Sequence, residues 1–248
     1  MNILAYGGGI NSTALLIECV KREIPVDLIL FADTGAERPH TYSYVEMFGK
    51  WLQTHGMPEI ITVSNDGMHK SLEAECLTRG ALPSVAYGFK TCSQKWKTRP
   101  QDKYVKSLPE AQAEWEAGRK ITKLIGFDAD EPQRAKEFED DKYVARYPLV
   151  EWDMGRDECI ETIEHAELCL PGKSACFFCP SSKAIEIRQL AQVYPELADR
   201  ALAMEANAEL TSVKGLGRRF AWSDLLDQAE MFDDFHNVPE MTCGCYDG

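Results

Sequence analysis

The chain has 248 residues, of which 44% are hydrophobic and 27% charged, enough for one large domain with a sizeable core. No apolar run reaches the roughly 18–20 residues that a membrane-spanning helix needs, and residues 1–6 show no basic segment of the kind that opens a secretion signal, so neither is expected. Forty acidic against 27 basic residues give a net charge of −13, which argues against indiscriminate attachment to nucleic acid or anionic lipid.

Residues 2–6 read as a short apolar strand, and residues 12–22 as a helix capped by Asn11 or Ser12. The near-continuous apolar run 26–32 suits a strand buried on both faces. Residues 42–54 place Tyr44, Val45, Phe48, Trp51 and Leu52 at helical spacing, and 59–63 reads as a third strand. Strand and helix alternating in this way predict an α/β fold, a doubly wound parallel sheet with ligands at the C-terminal ends of its strands. Further strands are expected at 121–126 and 143–150. After about residue 156 the pattern turns helical, at 157–167, 183–193, 195–210 and 222–231, with a cysteine-bearing loop at 170–180. We expect a nucleotide-binding part over 1–155 and a helical elaboration over 156–248, packed as one unit.

Gly7-Gly8-Gly9-Ile10-Asn11-Ser12-Thr13 joins the first strand to the first helix. Three glycines allow positive φ and close backbone approach, so several amides converge on an anion, with the helix N-terminus behind them. Ser12 and Thr13 add hydroxyls. The loop has no lysine and so is not a Walker loop, and its glycine spacing is not that of the dinucleotide fingerprint. Asp33, Asp130 and Glu131 follow expected strands, where carboxylates hold Mg²⁺ against a polyphosphate or accept from ribose; the competing reading of Asp33 is a simple cap on its own turn.

There are nine cysteines, and in a reducing compartment a C-x-x-C pair reads first as a metal or redox site. Cys19, Cys76 and Cys159 lie in helix-like apolar stretches and read as small core residues. Cys176 and Cys179 stand in Cys-Phe-Phe-Cys-Pro. Thiolates favour an iron–sulfur cluster or Zn²⁺, and since no second C-x-x-C or paired histidine accompanies them, the cluster is preferred. Residues 90–106 carry a charge of +5, leaving −18 elsewhere. Lys95, Lys97 and Arg99 in this strip are read as anion contacts, as are Lys214, Arg218 and Arg219 farther on.

The glycine loop resembles the pyrophosphate loop, S-G-G-x-D-S, of ATP pyrophosphatases and of the related phosphoadenylyl-sulfate (PAPS) reductases, the PP-loop members of the adenine nucleotide α-hydrolase-like superfamily. Gly7 replaces the first serine and Asn11 the aspartate. Phe31-Ala32-Asp33-Thr34-Gly35-Ala36-Glu37-Arg38-Pro39 is similar to the family's D-T-G segment, and the run from Gly126 to Arg134 to its G-x-R-x-D-E-x-x-R segment, with Asp128 in place of arginine. Pro148-Leu149-Val150-Glu151-Trp152 is like its P-L-x-x-W stretch. The resemblance covers residues 1–180. It implies a Rossmann-like fold that binds ATP and Mg²⁺ through Gly7, Gly8, Gly9, Asn11, Ser12, Thr13, Asp33, Thr34, Gly126, Asp130, Glu131 and Arg134.

Some sulfonucleotide reductases bind a [4Fe-4S] cluster through a cysteine pair and a distant C-x-x-C. Cys92 precedes Cys176 by 84 positions, and the resemblance therefore implies Cys92, Cys176 and Cys179 as ligands. The fourth ligand is left open between Cys245, Cys243, Cys169 and none, with Cys245 preferred. The leading expectation for function is cleavage of ATP to AMP and pyrophosphate in the cytoplasm, activating an acceptor for sulfur transfer, with Asp33 and Lys95 assisting. The acceptor is unnamed: a nucleic-acid base or a small sulfur-accepting molecule. The alternative is a thiol-dependent sulfonucleotide reductase with Cys243 as nucleophile; a third is a non-catalytic, metal-stapled nucleotide sensor or partner subunit. A homo-oligomer or a protein partner stays open.

Overall fold

The computed structural model describes residues 1–231. Five strands, β1 (Asn2–Tyr6), β2 (Leu28–Asp33), β3 (Ile60–Ser64), β4 (Ile121–Leu124) and β5 (Tyr143–Arg146), form one all-parallel sheet in the order β3-β2-β1-β4-β5. The chain runs outward from β1 to β3 and then crosses back to β4. The order therefore reverses between β1 and β4, the position at which open α/β sheets form a ligand crevice.

Side-chain alternation divides the core in two. Leu4, Tyr6, Ile29, Phe31 and Leu124 face one layer, where they meet α1 (Ile10–Lys21) and α2 (Pro39–Thr54). Ile3, Leu28, Leu30, Ala32, Val63, Ile121 and Tyr143 face the other, against Val105 and Ala111. Because both faces of β2 are covered, its residues are apolar almost without interruption. Leu15 and Leu16 of α1 are wholly buried, and truncating either to alanine is expected to cost about 2–5 kcal/mol.

Between β3 and β4 the chain makes α3 (Leu72–Arg79), the short 3-10 turn Ser84–Tyr87, α4 (Thr91–Ser93), a π turn (Gln94–Thr98), α5 (Arg99–Ser107) and α6 (Pro109–Glu116). The Ser71 side chain caps α3 by accepting from the Ala74 amide, and Gly80 ends the helix in the left-handed conformation. The strand expected over 143–150 stops at Arg146. Pro148 cannot donate to a ladder but suits a first helical turn, and it opens α7 (Pro148–Glu151).

α8 (Arg156–His165) buries Cys159 and Ile163 against the α1 side of the sheet. The helical pattern after residue 155 thus begins inside the α/β core. A separate cluster gathers α9 (Ala184–Val193), α10 (Pro195–Asn207) and α11 (Trp222–Met231) around Phe177, Phe178 and Trp222. It also takes Leu72 and Cys76 of α3 and Trp96 of the π turn from the earlier part of the chain. No helix among the described residues is long and apolar enough to cross a membrane.

Candidate functional site

The glycine loop closes β1 onto α1 at the reversal point. Gly8 has φ +68°, and a Cβ there would stand 3.1 Å from Thr41 Cγ2, so α2 packs directly behind the loop. Ser12 Oγ accepts from the Gly7 amide at 3.2 Å and donates to the Gly9 carbonyl at 3.1 Å. Thr13 Oγ1 donates to the same carbonyl at 3.0 Å. These bonds turn the loop carbonyl away from the crevice and leave the first-turn amides of α1, which have no carbonyl one turn earlier, directed toward it. From the opposite side comes Gly126, where a Cβ would lie 3.2 Å from the backbone of Asn11 and Ser12. A side chain there would push that backbone back by a few tenths of an ångström.

Asn11 ties the two loops together. Its Nδ2 donates to Asp128 Oδ2 at 2.7 Å, and its Oδ1 accepts from Arg156 Nη1 at 2.7 Å. The Arg156 amide donates in turn to Asp130 Oδ2 at 2.7 Å. Sequence reading did not single out Arg156. The available signal was the paired departure at Asn11 and Asp128: an aspartate at 11 would face the buried Asp128 carboxylate, whereas an amide donates to it. The exposed guanidinium of Arg156 then places a positive charge at the mouth of the crevice.

On the β2 side, Asp33 Oδ1 accepts from the Gly35 amide at 2.7 Å and from the Tyr42 hydroxyl at 2.8 Å. Asp33 thus holds its own turn. Burial, then the Asp33 carboxylate, raises the pKa of the Tyr42 hydroxyl and keeps it a donor. Glu131 pairs with Arg134, whose guanidinium lies 4.2 Å over the Phe127 ring. Asp33, Asp130 and Glu131 are therefore each engaged locally, and among the described residues no group of three or more His, Cys, Asp and Glu side chains gathers as a cation site.

The cysteine loop lies over this edge of the sheet. Ser174 Oγ would be 2.7 Å from a Cβ on Gly9, and Gly172 gives room to the His40 ring, whose Nε2 is 3.2 Å from the Lys173 carbonyl. Burial lowers the His40 pKa, favouring the neutral ring. Arg38 is buried, with Nε and Nη2 lacking hydrogen-bond partners. Burial also lowers its pKa, against the opposing pull of Glu186 and Cys179. Neither Arg38 nor Ser174 was picked out from sequence, since neither belongs to a recognisable spacing.

Cys176 Sγ is 3.2 Å from Thr34 Oγ1, and its residue bridges to Glu37, whose carboxylate accepts from Lys97 Nζ at 2.8 Å. Burial raises the Cys176 pKa. Burial opposes the charge of Lys97, but Glu37 and Cys176 outweigh it and raise its pKa. Cys92 shares a cavity wall with Cys76, its amide donating to Ser84 Oγ at 2.8 Å.

A [4Fe-4S] cluster needs thiolates converging on one point, and the described cysteines do not fit it. Cys176 Sγ contacts Thr34 Oγ1, Cys92 lines the cavity beside Cys76, Cys169 is disulfide-bonded, and among the described residues no group of three or more His, Cys, Asp and Glu side chains gathers. The expected set of Cys92 with Cys176 and Cys179 is thus not assembled; nor do the described residues form a zinc site. Cys243 and Cys245 lie outside the described residues. Lys95 pairs with Glu75 within the helical cluster rather than reaching the glycine loop.

No protein-family model matches the chain, and no curated protein matches it. Among solved structures the chain is similar to the U34-tRNA thiolase NcsA from Methanococcus maripaludis with its [4Fe-4S] cluster. The identity is 14% and the TM-score 0.45, over 83% of this chain and 71% of that one.

Proposed function

We propose that this chain binds ATP with its terminal phosphates at Gly7–Ser12 and cleaves it to AMP and pyrophosphate, activating an acceptor for sulfur transfer. The observation that carries the reading is the lysine-free glycine nest, with Gly8 at positive φ, opening at the N-terminus of α1 where the strand order reverses. The identity of the base and of the acceptor chemistry rests on the resemblance to the PP-loop family. An acceptor oxygen attacks the α-phosphorus, the bond to the bridging α–β oxygen breaks, and pyrophosphate leaves with the electron pair; AMP then leaves with the acceptor oxygen when a sulfur nucleophile, or water in its absence, attacks the adenylated acceptor. Charge developing on the leaving group meets the fixed amides of the nest. Arg156, oriented by Asn11, supplies a cation beside it. A γ-cleaving site of the Walker type would require a lysine that the loop lacks.

Replacement of Gly8 by valine forces a Cβ toward Thr41 and a branched residue into a left-handed conformation. The variant is expected to lose ATP affinity at least about tenfold by calorimetric titration, equivalent to roughly 1.4 kcal/mol. Chromatography of the wild-type reaction with ATP is expected to show AMP and pyrophosphate. ADP as the sole product removes the proposal, and release of sulfite from a sulfonucleotide with a thiol reductant replaces it with the reductase reading.

A further inference from the structure

A cavity of about 330 Å³ opens beside α3, away from the glycine nest, and its chemistry is unlike that of the rest of this acidic chain. Arg79, Lys95 and Arg99 line it, with Glu75 as its one acid. Glu75 is already occupied: its carboxylate takes Lys95 and the Trp96 indole N–H (2.8 Å), with Arg79 Nη2 at 3.3 Å. Arg99 forms no ion pair among the described residues. Positive charge is thus in surplus around an opening that also carries the half-buried ring of Tyr87.

A fourth cation arrives from a distant part of the chain. An added Cβ on Gly88 would stand 3.1 Å from an Arg218 guanidinium nitrogen, so Arg218 reaches the residue next to Tyr87. Its loop is fixed from below by the buried Glu205 carboxylate, which accepts from the amides of Leu216 (2.7 Å) and Trp222 (2.9 Å). Arg218 itself is exposed, makes no ion pair among the described residues, and is held at φ +65°. Beside Gly88, Phe89 is 64% exposed. Separate arginines around an aromatic-walled opening match the chemistry of a nucleotide: phosphates take the guanidinium groups, and a base stacks on an aromatic ring.

We propose that this cavity binds nucleotide units of a single-stranded nucleic acid, with Arg79, Arg99 and Arg218 on phosphates and Tyr87 or Phe89 stacking on a base. Its role as the acceptor site rests on the ATP chemistry proposed above; its binding property does not. The spread of exposed cations along the rim favours successive phosphates over one. A local basic rim is also compatible with a net charge of −13, because the field that a strand meets is that of the cavity mouth.

Fluorescence anisotropy with a labelled short single-stranded oligoribonucleotide, using the full chain without ATP, tests the site. Binding is expected to weaken with salt, with a slope of about −0.7 for each phosphate neutralised. Arg99→Ala and Arg218→Ala are each expected to weaken it about tenfold and to reduce the salt slope by roughly one phosphate contact. Both side chains are exposed and form no ion pair among the described residues, so the variants should fold; circular dichroism checks this. Binding of a nucleoside monophosphate as tight as that of the strand, with the same arginine dependence, assigns the cavity to free nucleotides instead and overturns the strand. No binding of either probe, or binding indifferent to both substitutions, overturns the site. The Gly8→Val variant separates the two proposals, since it should lose ATP and keep the oligonucleotide.

Discussion

Replacing Asn11 by aspartate would set two carboxylates against each other at the distance now spanned by a 2.7 Å hydrogen bond. Asp128 is buried, and its other oxygen has no partner, so the repulsion has little solvent to screen it. Asn11→Asp is therefore expected to destabilise the protein by about 1–3 kcal/mol, in line with the loss of a buried charge-assisted bond. Adding Asp128→Asn should recover much of that loss, because an amide at 128 donates to the new carboxylate. Thermal unfolding of the two single variants and the double variant measures the coupling, and additive effects would show that the Asn11–Asp128 contact carries no energy. The same pair shows what sequence alone conveys about the site. The glycines announce an anion nest by type and order, whereas Arg156 becomes visible only when folding sets the start of α8 beside α1.

At the scale of elements, β2 is legible from sequence because a strand covered on both faces must be apolar nearly throughout. α10 is legible for a different reason: Pro195 opens it and its buried positions recur at helical spacing. The stretch between β3 and β4 is not, since α3, α4 and the π turn are short and pack against helices from the far end of the chain. Their burial is settled by tertiary contact rather than by local period. Glu75 organises that stretch. Burial pushes its pKa upward, but the hydrogen bonds from Lys95 and Trp96 outweigh this and leave it lowered. A depressed carboxylate stabilises the fold above its unfolded pKa of about 4.3 and ceases to do so as pH falls through its lower folded value. Acid should accordingly loosen the α3 and π-turn region below about pH 4. Glu75→Gln keeps an acceptor for Trp96 but removes the charge, so the variant should be less stable at neutral pH and should show a shallower acid dependence. Unfolding midpoints measured across that range decide it; parallel curves for wild type and variant would remove Glu75 from the account.

The whole molecule is joined through residues 33–38, which leave the sheet edge and enter the helical cluster. Leu72 donates its amide to the Thr34 carbonyl at 3.0 Å, Phe177 donates to Ala36 at 2.9 Å, and Glu37 bridges to Cys176 while holding Lys97. The Glu37 side chain is fully buried and the Lys97 side chain 35% exposed, so removing the carboxylate leaves a cation with access to water on one side only. A wholly buried pair broken in this way costs about 3–5 kcal/mol, and the partial exposure of Lys97 brings the expected loss to about 2 kcal/mol. That loss falls on the junction rather than on either core. In the wild type, amides of β1 and β2 and amides of α9 and α10 are expected to exchange with similar protection, as one cooperative unit. In Glu37→Ala the α9 and α10 amides should lose protection first, at denaturant concentrations where the strands remain closed. Hydrogen exchange followed by mass spectrometry reads both sets at once. Should the two sets still open together in the variant, the sheet and the helical cluster are coupled through another contact, and the packing of α3 against α10 is then the joint to cut.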